Sequence, residues 1–285
     1  MTASAVESPV RGLHIGGEWT AAEGGNTFED SDPFTGDVVA NVPAGTREDA
    51  RRAIEAAAEA FPAWSETPPA ARQQIFLKAA DILEARGEEV VSWLTRETGA
   101  TFGMAMFQLH FVPGLFRQAA ALPYQSTGEI IPSDMGAFSM GLRRPVGVVA
   151  AIAPWNAAQI LSARSIAAPL ALGNTVVLKP SELSPYVGGL IWAEIFSEAG
   201  LPEGVLNIVT HAPGEAGPIA EEFAEHPAVR VINFTGSTET GRKVAEAAGR
   251  NLTRVVLELG GSNPLVVLGD ADVEYAVDAA AFGSF

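Results

Sequence analysis

Two hydrophobic patterns divide the chain, and the change from one to the other falls near residue 146. Before it, apolar positions recur at helical spacing. "TREDARRAIEAAAEAFPAW" opens with a threonine cap at Thr46 and acidic residues in its first turn, and predicts a helix. "PPAARQQIFLKAADILEARGEEVVSWLTRETG" predicts two more, split near Gly87 and stopped at Gly99. Residues 101–122 read as a further helix, interrupted at Pro113. Ahead of these, residues 17–45 carry "GGEW", "DPFTG" and "VPAGT", turn-rich pieces that fit a peripheral hairpin. Between the helices and the second half, "STGEIIPSDMGAFSMGLRRPVG" places strand-like pieces around "SDMG" and predicts a hairpin.

Beyond 146 short aliphatic runs alternate with helical stretches. The runs are "VGVVAAIA", "TVVLK", "LNIVT", "VINFT", "VVLEL" and "PLVVLG", with helices expected at 159–172, 185–199, 215–225 and 238–249. Runs apolar on both faces suit a parallel sheet covered on both sides, so a doubly wound sheet is expected over 146–268. No internal repeat stands out.

Composition narrows the functions. A chain of 285 residues with 47% hydrophobic content can fill a sizeable core. A net charge of −16 disfavours nucleic acid and anionic lipid as partners. The longest apolar run, "VGVVAAIAPW", is broken by Pro154 and too short to span a bilayer, and the amino-terminal stretch reads as a polar lead rather than an export signal. A cytoplasmic location is expected. The sequence has no cysteine, which removes disulfides, thiolate metal sites and a cysteine nucleophile from this chain. The four histidines share no ligand-like spacing with carboxylates, so no metal site is expected and surface or helix-end positions explain them.

In an open parallel sheet ligands bind beyond the carboxyl ends of the strands, so the residues at those exits carry the candidate chemistry. "PWN" puts Asn156 on the first exit, where its amide serves either a developing oxyanion or a helix cap. "LKPSE" puts Lys179 and Glu182 on the second, as a clasp for ribose hydroxyls or as an exposed ion pair. In "FTGSTETG", Gly236, Ser237 and Gly241 form a turn between strand and helix that suits a pyrophosphate, although Thr238 replaces the middle glycine of the usual dinucleotide fingerprint. "VVLELGGSN" sets Glu258 in an apolar run: partly removed from water it would have a raised pKa and work as a general base, and otherwise it pairs with a lysine or a backbone amide.

The order of "APWN", "LKPSE", "NFTGSTETG" and "LELGGSNP" on successive exits resembles the aldehyde dehydrogenase superfamily, and the likeness runs from "GGEW" to "AAAFGSF". It implies an α/β fold, a Rossmann-like open parallel sheet with helices on both faces, with an inserted oligomerisation hairpin and the start of a catalytic domain. By that likeness residues 1–123 and 146–258 form the NAD(P)-binding domain, 124–145 the hairpin and 259–285 the beginning of the catalytic domain. Asn156 matches the asparagine that stabilises the thiohemiacetal oxyanion and Glu258 the base that activates water. Lys179 and Glu182 match the ribose-binding pair, Gly236, Ser237 and Gly241 the pyrophosphate turn, Pro154 and Trp155 the wall of the cofactor cleft, and Leu259 and Gly260 the approach to the nicotinamide. The implied cofactor is NAD, with NADP as the alternative, because Glu182 would bond a 2′-hydroxyl and repel a 2′-phosphate. The implied substrate is a small aldehyde, aromatic by similarity to the benzaldehyde, salicylaldehyde and vanillin branch, and the implied assembly is a homo-oligomer, a dimer or tetramer.

The family reaction needs a cysteine a few residues beyond the stretch matching "AAAFGSF", and this chain has none. The sequence therefore reads as the amino-terminal part of such an enzyme, inactive alone. The rival readings are a non-catalytic nucleotide-binding or interaction module and a split enzyme completed by a cysteine-bearing chain.

Overall fold

The structure is a computed structural model that describes residues 10–284, so the first nine residues of the expected polar lead and Phe285 lie outside the described residues. The remainder of the lead holds two short strands, β1 (Leu13–Ile15) and β2 (Glu18–Thr20), and a separate hairpin follows in β3 (Thr27–Ser31) and β4 (Val38–Pro43). Thr46 caps α1 (Arg47–Ser65) as its sequence indicated: its hydroxyl accepts from the Asp49 N–H while the Asp49 carboxylate takes the Thr46 N–H in return. The next two helices are α2 (Pro69–Ala85) and α3 (Gly87–Thr98), and α3 ends on Gly99 at φ 68°, the left-handed cap that glycine adopts without strain. Pro113 does not interrupt the following helix, which runs unbroken as α4 (Phe102–Ala121). The proline is buried there, and packing of α4 against α2, α3 and α5 (Ala158–Ala171) holds the helix together where its own ladder lacks a donor. Between α4 and the main sheet, β5 (Gly128–Ile131) and β6 (Ser139–Leu142) form the expected hairpin.

The second half alternates as its pattern required. In chain order it contains β7 (Val148–Ile152), α5, β8 (Thr175–Lys179), α6 (Ile191–Ala199), β9 (Leu206–Ile208), α7 (Ala216–Glu225), β10 (Val229–Gly236), α8 (Thr238–Arg250), β11 (Arg254–Leu259) and α9 (Val273–Ser284). Strands β7 and β8 are buried at every position, which is why they tolerate no polar face. The sheet order is β11-β10-β7-β8-β9-β1-β2. The five strands from β11 to β9 are parallel, and β1 joins β9 antiparallel through His14 and Ile208, so the sheet is mixed rather than purely parallel. One apolar cluster unites the sheet with α2 to α6, the other with α1, α7 and α8.

The sixth expected strand is absent. Residues 264–269 are irregular and pair with no strand among the described residues, and Leu265, Val266 and Leu268 are exposed. The helix expected over 185–199 forms, but its first turn, Tyr186–Leu190, is a wider π-turn. Its end is held from a distance: both carboxylate oxygens of Glu97 accept from the backbone, from Tyr186 N–H at 2.6 Å and from Val187 N–H at 2.8 Å.

Asp30 of β3 is buried beside Glu97. Burial raises the Asp30 carboxyl from 3.8 to about 6 and pushes Glu97 well above the usual carboxylate range, with the negative charge of Asp30 adding to the rise. A raised folded pKa means that the stabilisation from protonation is complete below about pH 4 and fades as pH rises through about 6. Asp30→Asn removes the buried negative charge beside Glu97. Relative to wild type it is expected to be about 2 kcal/mol more stable at pH 8, with the gain vanishing near pH 4. Urea unfolding of both proteins at the two pH values measures this, and a difference that does not change with pH would refute it.

Candidate functional site

Register brings the strand exits together. Ile152 pairs with Lys179 on one side and with Phe234 on the other, while Thr235 pairs with Glu258 and Gly236 with Leu259. The chain runs from β7 outward to β8 and β9, then returns to the other side of β7 as β10. The gap between the β7 and β10 exits is therefore the point where strand order reverses, the place where such sheets hold ligands. A cleft of about 360 Å³ opens there. Its lining includes Pro154, Trp155, Lys179, Glu182, Gly236 and Ser237.

On the β10 side, Ser237 is the cap of α8: its hydroxyl oxygen accepts from the Thr240 N–H at 3.1 Å and its hydroxyl donates to Thr240 Oγ1 at 2.9 Å. Thr238 and Glu239, the first two helical residues, have no acceptor one turn back, so their N–H groups face outward at the positive end of the helix dipole. An anion fits that position. Gly241 does not line the cleft. It sits in the first turn of α8 where a Cβ would lie 2.4 Å from the Leu259 side chain, so its lack of a side chain lets α8 pack down on β11.

On the β8 side, Lys179 is 5% exposed and is not the exposed half of an ion pair. Its Nζ donates to the Pro180 carbonyl at 3.1 Å and lies 2.6 Å from His211 Nε2. Burial lowers the lysine to about 8, with Glu182 opposing the fall. Glu182 takes the Ser181 hydroxyl at 3.1 Å and stands 3.7 Å from His211 Nε2.

Two of the sequence expectations for histidine are corrected here. His211 is 1% exposed and His14 5%, whereas His110 is exposed and His226 ends α7. Only their positions at the end of β9 and in β1 could have signalled burial, since their spacing carries no pattern. No group of three or more metal-ligating side chains occurs among the described residues.

Asn156 lies on an exposed turn before α5, and the cap position is taken by Ala157, so the amide is not engaged as a cap. Glu258 is the clearest departure. Its side chain is 56% exposed and lies 3.6 Å from Arg164. The physical reason is its place on β11, the last strand of the sheet. Val255 and Leu257 turn inward against the α7 and α8 side, while Val256 and Glu258 turn to the opposite face, which is open at that edge. The burial expected of this carboxylate is therefore missing, and the partner is an arginine rather than a lysine or an amide. Leu259 and Gly260 follow it, both exposed.

An open sheet with its cleft at the reversal point and a helix terminus aimed into it defines a nucleotide-binding type of α/β architecture. The chain belongs to the aldehyde dehydrogenase family, whose model matches residues 19–285. It is 50% identical over 274 residues to a vanillin dehydrogenase of Pseudomonas fluorescens, covering 96% of this chain and 56% of that protein. The crystal structure of a salicylaldehyde dehydrogenase from Pseudomonas putida G7, complexed with salicylaldehyde, superposes with a TM-score of 0.91 at 42% identity, covering 96% of this chain and 57% of that one. That of an NAD-dependent benzaldehyde dehydrogenase from Corynebacterium glutamicum gives 0.89 at 38% identity, covering 100% and 60%. The chain thus spans little more than half the length of these relatives.

An exposed ion pair contributes little, so Glu258→Gln is expected to change the unfolding free energy by less than about 0.5 kcal/mol. Urea denaturation measures it, and a loss several times larger would mean that the carboxylate is buried and paired.

Proposed function

We propose that this chain carries the cofactor-binding part of an NAD-dependent aldehyde dehydrogenase that oxidises an aromatic aldehyde to the carboxylic acid, with NADP as the alternative cofactor. The observation that carries the reading is the cleft between β7 and β10, with the buried donor Lys179 at one end and the open N–H groups of α8 at the other. The residues fit a dinucleotide: Lys179 and Glu182 would hold the adenosine ribose, the Gly236–Ser237 turn and the α8 terminus the pyrophosphate, and Trp155, half-exposed beside Pro154, the wall between. When bound, the nicotinamide supplies the hydride acceptor. Asn156, with its amide unengaged, would donate to the aldehyde oxygen as negative charge develops there. Glu258 would take a proton from the water that hydrolyses the thioester, and its exposure leaves it open to water.

The relatives named above are dehydrogenases of vanillin, salicylaldehyde and benzaldehyde, and their common aromatic ring supports the substrate class. The hairpin of β5 and β6 exposes Ile130, Met135, Phe138 and Met140, an apolar surface that supports its pairing with another subunit. The reaction also needs a thiolate to attack the carbonyl carbon, and these 285 residues contain no cysteine.

Calorimetric titration with NAD tests the cofactor assignment. Lys179→Ala is expected to weaken binding roughly tenfold or more, as loss of a charge-assisted hydrogen bond does, and equal affinity for variant and wild type would sink it. Incubated with NAD and benzaldehyde, the chain alone is expected to form no NADH, and formation of NADH by a clean preparation would overturn the requirement for an added thiol.

A further inference from the structure

Behind Lys179 stands a buried titratable group that the proposed reaction does not use. His211 follows β9, the strand next to β8, and is 1% exposed. Its Nδ1 lies 2.9 Å from the Ala212 carbonyl oxygen, which can only accept, so Nδ1 carries the proton and Nε2 presents a lone pair. That lone pair meets the Lys179 ammonium at 2.6 Å. With the Pro180 carbonyl taking a second N–H at 3.1 Å, one ammonium N–H is left for the cleft.

The segment that carries the imidazole is itself anchored. Thr210 donates its hydroxyl to the Pro43 carbonyl at 2.7 Å, and Gly45 N–H donates to the Thr210 carbonyl at 3.0 Å. A Cβ at Gly45 would lie 2.4 Å from that carbonyl oxygen, so only glycine permits the approach. The charged or titratable groups acting on Lys179 and His211 are each other and Glu182. Burial, reinforced by the adjacent ammonium, holds the imidazole down at about 4, so it is a neutral acceptor at any pH near 7.

We propose that His211 is the positioning residue of the ribose end of the cleft: its Nε2 fixes the Lys179 ammonium apart from Glu182, so that the lysine donates to one ribose hydroxyl while the carboxylate stays free to accept from another. This rests on the cofactor assignment above and adds a selectivity. A lysine tied back into the protein cannot swing out to neutralise a 2′-phosphate, so the same contact that orders NAD disfavours NADP.

The test is calorimetric titration of the 285-residue chain with NAD and with NADP from pH 6.5 to 9.5, for wild type, His211→Ala, His211→Gln and Lys179→Ala. His211→Ala is expected to weaken NAD about tenfold, the loss of a hydrogen bond to a charged group, and to narrow the preference for NAD over NADP. Because a hydrogen bond to the charged form favours it, losing this acceptor should also move the pH at which affinity declines downward from about 8. His211→Gln, whose amide oxygen can accept the ammonium, should retain most of the affinity and the wild-type pH profile. If His211→Ala fails to fold, His211→Leu fills the space without an acceptor and replaces it. If Lys179→Ala binds NAD as wild type does, the cofactor assignment itself fails. If Lys179→Ala binds weakly while the alanine or leucine variant at 211 keeps wild-type affinity, selectivity and pH profile, His211 does not position the lysine.

Discussion

The parallel ladder that joins Lys179 to Ile152 and Ile152 to Phe234 is the constraint on which the rest depends. Each strand in it is covered by helices on both faces, and a shift of one residue in register would turn its alternate side chains to the wrong layer. Register is thereby fixed without any contribution from the functional residues. Every exit that carries chemistry inherits its place from this ladder: Pro154 and Trp155 beyond β7, Lys179 at the end of β8, Gly236 at the end of β10. The reversal of strand order between β7 and β10 then leaves a gap at their exits, and the cleft is that gap.

Positioning by the ladder places backbone, not side-chain charge, and the charged groups are held by a second set of contacts. Glu97 reaches from α3 to the opening turn of the helix that follows Lys179 and Glu182, and closes two N–H groups that a π-turn would leave open. His211 does the equivalent for the lysine ammonium. In both cases a buried ionisable group is tolerated because it is hydrogen-bonded to a donor or acceptor supplied by a different element. The segment from Lys179 to Leu190 is thus tied to α3 at one end and to the β9 exit at the other, which limits how far the ribose end of the cleft can move.

How much of this was legible in the sequence follows from the range of the signals. Helix caps are local, and Thr46, Gly87 and Gly99 marked their helices correctly. Short aliphatic runs announce strands by composition, so β7, β8, β10 and β11 were readable, although of these only β7 and β8 are buried at every position. Pro113 misled because a missing N–H is a local fact, while the packing that carries α4 past it comes from other helices. "PLVVLG" misled in the opposite sense: its composition is that of a strand, but composition does not say whether a run pairs, and this one pairs with no strand among the described residues. The buried state of His14 and His211 and the pairing of Asp30 with Glu97 join residues far apart in the chain, and no spacing encodes them.

Glu258 shows where the two kinds of information meet. An acid in an apolar run implies burial only if both faces of its strand are covered, and the run itself cannot say whether they are. On β11 the odd-numbered positions 255 and 257 pack and the even-numbered 256 and 258 do not, so the carboxylate faces water beside Arg164. Exposed apolar residues also follow β11 in the chain, Leu265 to Leu268 and, on α9, Val273, Tyr275 and Val277. The alternation of faces along β11 is thus fixed by its pairing with β10, while the exposure of Glu258 follows from which of those faces other elements cover.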